Sequence, residues 1–164
     1  MDQDLNEVLL EELGVFLEEK NQIPPVAARI YGYLILDANQ GVTFEALVKT
    51  IKASKSTIST NLKLLKSKRF ITHFTKCGDR KKYFKTDEDH IFLLIENKIN
   101  HWKKEKFLHE KIFQHKLERF KDNPEFKNKD IGLNFNELFI EYANMMVEQL
   151  TKIQTKLKQL KNEK

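Results

Sequence analysis

Between Ser54 and Ser67 the chain reads SKSTISTNLKLLKS, in which short hydroxyl side chains and lysines are interspersed with aliphatic residues. Hydroxyls donate and accept hydrogen bonds at close range, and ammonium groups neutralise phosphates. Ser54, Lys55, Ser56, Thr57, Ser59, Thr60, Lys63 and Lys66 together suit contact with base edges and a phosphodiester backbone. A second concentration follows, with Lys76, Arg80, Lys81, Lys82 and Lys85 inside ten residues. An arginine there is suited to a minor groove or a flanking phosphate.

The distribution of charge singles out the same segment. Residues 1–42 carry −6, residues 43–86 carry +10 and residues 87–164 carry +1, giving the net +5. A basic block inside an otherwise balanced chain is what a polyphosphate-binding surface requires, because each cation near the backbone releases condensed counterions.

The elements that must position these residues follow from periodicity. Leu5, Val8, Leu9, Leu13, Phe16 and Leu17 predict an amphipathic helix over 4–20, followed by a break at Asn21 and Gln22. Pro24 and Pro25 suit the first turn of an apolar helix reaching Asp37. Asn39, Gln40 and Gly41 predict a turn, and Thr43 an N-cap for a short helix, Phe44 to Ile51.

Ser54 caps a third predicted helix, Lys55 to Ser67. Ile58, Leu62 and Leu65 fix its core face, which turns Ser56, Ser59, Thr60, Lys63 and Ser67 outward. Two helices joined by a short connector outline a helix-turn-helix. Phe70–Thr75 and Lys81–Thr86 read as strands around a hairpin tip at Gly78-Asp79. A hairpin directly behind the third helix is the wing of a winged helix.

Beyond it, Asp87 to Lys121 contains neither Pro nor Gly, so a helix of about 50 Å fits. Residues 122–133, with Asn123-Pro124, are the expected connector. Asn134 and Glu137 resemble a capping box. From Phe135 to Leu160 apolar residues keep close to a 3.5-residue repeat, which asks for a helical partner.

The expected fold is mostly α with a small β-hairpin. A winged helix-turn-helix DNA-binding domain over 23–86 is flanked by an N-terminal dimerisation helix, 1–22, and by long helices forming a dimer interface, 87–164.

The segment Ile23 to Phe84, IPPVAARIYGYLILDANQGVTFEALVKTIKASKSTISTNLKLLKSKRFITHFTKCGDRKKYF, closely resembles the winged-helix domain of MarR-type regulators. It is most similar to their GbsR branch, where a PP-x-AARIYGYL-like entry helix, an SKSTIS-like recognition helix and a G-(D/E)-R-K-x-Y-like wing occur together. The resemblance implies a homodimeric, double-stranded DNA-binding transcriptional regulator, a repressor by the family's usual mode, whose recognition helices enter successive major grooves of a pseudo-palindromic operator. It carries Ser54 to Lys63 over as recognition helix, and Asp79 and Arg80 as the wing-tip pair. The C-terminal half matches no motif of the family. A winged helix serving as a protein-interaction scaffold, without specific DNA binding, is the alternative.

Other chemistry finds little footing. Catalysis has no Gly-rich phosphate loop, nucleophile elbow or convergent acid and base to stand on, and no cofactor is expected. His73, His90, His101, His109 and His115 lack metal-ligand spacing. Cys77, the one cysteine, excludes a disulfide within the chain and reads as a passive surface thiol rather than the oxidant sensor that some relatives carry. A small-molecule effector of unknown identity is possible. Trp102, Phe107, Phe113, Phe135, Phe139 and Tyr142 would suit the quaternary ammonium ligands associated with GbsR-like proteins, although helical spacing favours a core or dimer role. No run is apolar enough for a membrane, and the acidic start lacks a secretory n-region, so a cytoplasmic protein is expected.

Overall fold

Two consecutive prolines set the start of the helix around which the first part of the molecule is built. Helix α2, Pro25–Leu36, has Pro24 in extended geometry at its N-cap, where the missing proline donor costs nothing. It buries Ala27, Ala28, Ile30, Tyr31, Gly32 and Leu34. The computed structural model describes residues 3–37, 40–121 and 130–163, with side chains from Glu7 onward. The Leu5 side chain, Asn39 of the expected turn, and Asn123 and Pro124 of the expected connector lie outside the described residues. The chain divides into two compact units, Met1–His90 and Ile91–Lys164.

In the first unit α1, Gln3–Asn21, packs along α2. Leu17 is buried there, whereas Val8, Leu9, Val15 and Phe16 are exposed. Strand β1, Val42–Thr43, leads into α3, Phe44–Ile51, whose N-cap Thr43 accepts the Ala46 N–H at 3.2 Å. Lys52 ends α3 in left-handed geometry. Ser54 then caps α4, Lys55–Ser67, accepting the Thr57 N–H at 3.1 Å. These two caps satisfy donors that helix starts would otherwise orphan.

Helix α4 stops in a paired motif. Phe70 N–H reaches Leu65 O at 2.9 Å and Arg69 N–H reaches Lys66 O at 3.0 Å, with Arg69 at φ 59°. Strands β2, Ile71–Thr75, and β3, Lys82–Thr86, pair antiparallel with Phe74 opposite Tyr83. The sheet has one more strand than the expected hairpin: β1 joins the far edge of β3, Val42 opposite Phe84, giving the order β1-β3-β2. Two residues are too few for an alternating pattern, and a distant partner holds them. One core, including Ile30, Leu34, Leu47, Ile58, Leu65, Ile71 and Phe84, unites the unit.

Helix α5, Glu88–Arg119, is a single 32-residue helix that runs from the end of the first unit into the second. Helix α6, Ile131–Asn162, starts three residues before the Asn134 expected as its cap. Asp130 is the N-cap and accepts the Leu133 N–H, while Lys116 Nζ holds the same carboxylate at 3.3 Å. A charged Asp at the helix start, paired with a lysine, outcompetes the downstream Asn. Asn136 is buried, donating to Gly132 O at 2.6 Å and meeting His109 Nδ1 at 2.7 Å. No helix among the described residues is long and apolar enough to cross a membrane.

Candidate nucleic-acid interface

Ile58, Leu62 and Leu65 anchor α4 in the core, each 4% exposed or less. The opposite face follows from the helical repeat: Lys55, Ser56, Thr60, Lys63, Lys66 and Ser67 are exposed and Ser59 is half-buried. Not every hydroxyl on it is equivalent. Ser54 Oγ lies 2.8 Å from both Ser56 Oγ and Thr57 Oγ1, so three of the predicted contact hydroxyls are linked through Ser54 at the helix start. Ser67 bonds back to Leu64 O at 2.8 Å. Lys55, Thr60, Lys63 and Lys66 are the exposed groups outside these local bonds.

Asn61, which sequence reasoning left unassigned, is buried at the edge of this face and donates to Thr57 O at 2.8 Å. A polar residue three positions after Ile58 gives no signal of burial by type. Only its spacing beside the Ile58–Leu62–Leu65 stripe carries one.

The wing places its cations differently. The tip is a turn over Lys76–Asp79, closed by Asp79 N–H to Lys76 O at 3.0 Å. Cys77 and Gly78 lie at its centre, and Gly78 has φ 78°. Cys77, Arg80, Lys81 and Lys82 are exposed. Lys76, predicted as a DNA-binding residue, sits 4.2 Å over the Tyr83 ring, and Lys85 sits 5.8 Å over Phe74. Both ammonium groups rest on aromatic faces.

The outer face of the sheet was not legible beforehand. Phe74 and Tyr83 stack at 5.6 Å and 28°. Gly41, at φ 91°, approaches so closely that a Cβ would fall 2.6 Å from Phe74 Cζ, so only glycine fits there. Tyr83 donates its hydroxyl to Asp79 Oδ2 at 2.6 Å, and Lys81 N–H meets Asp79 Oδ1 at 2.9 Å. The Tyr83 hydrogen bond, followed by that from Lys81, holds the Asp79 carboxyl below its ordinary value. The same bond pushes Tyr83 up.

Helix and wing meet electrostatically at His73. Its pKa is lowered, first by desolvation and then by the charges of Lys66 on α4 and Lys82 on β3. One side chain of β2 therefore senses cations from both halves of the basic block.

In the second unit the aromatics considered as an effector cage mostly occupy one another. Trp102 packs against Phe139 and Tyr142 at 6.1 and 5.3 Å, and His109 stacks on Phe139 at 3.9 Å. Phe107 is exposed, with Lys111 Nζ 4.4 Å over its ring. A cavity of about 640 Å³ opens instead on Lys111, Ile112, His115, Lys116, Arg119, Phe120 and Asp130. Among the described residues no group of three or more His, Cys, Asp or Glu is placed to hold a metal ion.

This architecture defines a winged helix-turn-helix protein. The fold is similar to that of a solved transcriptional regulator at 19% identity and a TM-score of 0.51, covering 94% of this chain and 98% of that one. MepR, a transcription regulator of the Staphylococcus aureus multidrug efflux pump MepA, matches at 15% identity and a TM-score of 0.41, over 98% of this chain and 88% of that one. An S. aureus MepR variant bound to an oligodeoxyribonucleotide matches at 19% identity and a TM-score of 0.43, over 77% and 92%. The first likeness establishes the fold and nothing finer. The chain matches no protein-family model and no curated protein.

Proposed function

We propose that this chain is a double-stranded DNA-binding transcriptional regulator of the MarR type, in its GbsR-like branch, acting as a homodimeric repressor at a pseudo-palindromic operator. One observation carries the reading: the exposed hydroxyl and lysine face of α4 and the exposed Arg80, Lys81 and Lys82 of the wing belong to one compact unit, and cations of both act on His73. Thr60, Lys63 and Lys66 then face the major groove, and Arg80 the adjacent minor groove or phosphates. Ser54, Lys55, Ser56, Thr57 and Ser59 meet the backbone at the helix start, where the helix dipole favours phosphate.

Residues 23–86 are the reading head. Residues 1–22 and 87–164 supply the dimer contacts, with the outward apolar residues of α1 and α6 as the surfaces to be covered.

Fluorescence anisotropy with random duplex DNA tests this. Affinity is expected to fall about a hundredfold or more between low and moderate salt. Lys63→Ala and Arg80→Ala are each expected to weaken binding about tenfold with unchanged circular dichroism. Absence of binding at every salt concentration supports the scaffold alternative, and unchanged affinity in both variants removes the site assignment.

A further inference from the structure

Arg80 sits in an exposed six-residue connection, Lys76 to Lys81, between Thr75 and its partner Lys82. A free loop of this length would have to be ordered when it met a duplex, and the ordering would be subtracted from affinity. Here the residues on both sides of Arg80 are already tied. Asp79 holds the Lys81 N–H through Oδ1 at 2.9 Å and the Tyr83 hydroxyl through Oδ2 at 2.6 Å, and its own N–H closes the turn onto Lys76 O.

Tyr83 is in turn held on several sides. It lies in the central strand, paired with Thr43 on one side and Phe74 on the other. Its ring stacks on Phe74 and lies beneath the Lys76 ammonium. Gly41 presses on the same pair, with space for no Cβ.

We propose that Tyr83 is a positioning residue for DNA binding: through Asp79 it fixes the corner of the wing that presents Arg80. This rests on the DNA-binding reading above. The hydroxyl has a second consequence. Asp79 is one of two acidic residues in the basic block of 43–86. With both carboxylate oxygens engaged by the Tyr83 hydroxyl and a backbone N–H, Asp79 has less to offer the guanidinium next to it, which stays available for an incoming phosphate or groove.

Tyr83→Phe keeps the ring, its stacking and its place under Lys76, and deletes only the hydroxyl. Duplex affinity is measured at one low salt concentration for the unmodified chain, Tyr83→Phe, Arg80→Ala and the double variant, with circular dichroism as the folding control. Tyr83→Phe is expected to weaken binding about fivefold, and Arg80→Ala about tenfold. The double variant is expected to lie within about twofold of Arg80→Ala, because the hydroxyl acts through that side chain. Independent losses that multiply to about fiftyfold, or a Tyr83→Phe chain that binds like the parent, overturn the positioning role while leaving DNA binding intact. An unmodified chain that fails to bind duplex DNA overturns both.

Discussion

The two units of this molecule treat apolar surface in opposite ways. The largest fully buried side chains, Ile30, Leu34, Leu47, Ile58 and Leu65, all belong to the first unit, which encloses its own core. Of the seventeen large hydrophobic residues that stay exposed among the described residues, twelve lie in the second. On α6 they form a stripe, Ile131, Phe135, Leu138, Tyr142 and Met145, spaced four and three apart. The inward residues Leu133, Asn136 and Ala143 lie on another face of the same helix. A rigid head can hold a charged surface in fixed geometry by itself. A helix with two apolar faces, one covered and one bare, is built for further association.

The sharpest way to break that comparison is to damage each unit at its centre. Leu65→Ala opens a cavity in the enclosed core and is expected to destabilise the fold by about 3 kcal/mol in urea titration followed by circular dichroism. Leu138→Lys on the bare stripe is expected to leave the monomer within about 0.5 kcal/mol and to raise the dissociation constant of the proposed dimer about a hundredfold in sedimentation equilibrium. Comparable losses of folding stability from both substitutions, or self-association untouched by Leu138→Lys, would remove the distinction.

The same contrast explains what could be read without coordinates. The core face of α4 follows from Ile58, Leu62 and Leu65 alone, because local periodicity and burial agree there. Strand β1 was missed because its pairing with Tyr83 and Phe84 is long-range and two residues carry no period. The start of α6 was misplaced because Asn134 and Glu137 satisfy a local rule, while the actual cap, Asp130, gains from Lys116 on another helix. In the candidate site, types and spacing marked the cations but not their state. Lys76 resting on Tyr83, and Ser56 and Thr57 each bonded to Ser54, depend on side-chain geometry that composition does not encode.

A smaller effect sharpens the comparison through pH. His90, the last residue of the first unit, is 6% exposed, and neither ring nitrogen has a hydrogen-bond partner among the described residues. It lies edge-on to Phe70 and Tyr31, with ring centroids 4.4 and 6.4 Å away. Burial lowers its pKa below the ordinary 6.5, against a weaker opposing pull from Asp87. The unfolded chain takes up a proton near pH 6.5 that the folded chain resists. The contribution of the neutral ring is therefore complete above that pH and is lost as pH falls below it. Urea midpoints at pH 7.5 and 5.5, on the parent and on His90→Leu, check this. The acid-side loss is expected to be smaller in the variant, and equal losses would show that the imidazole does not resist protonation.

The least effect expected concerns where strain is held. Among the described residues the non-glycine positions with positive φ are Gln22, Lys52 and Arg69, all in the first unit at the ends of α1, α3 and α4. A well-packed unit can impose left-handed geometry on side chains that disfavour it, and α4 must end abruptly for Phe70 to enter the core while β2 begins. Arg69→Gly removes the strain and also the charge, so Arg69→Ala, which removes the charge and keeps the strain, is the proper reference. Glycine is expected to exceed alanine in stability by about 1 kcal/mol, a modest shift in the urea midpoint. If the two variants unfold together, the left-handed turn after α4 is not held under strain, and the first unit owes less to its core than its geometry indicates.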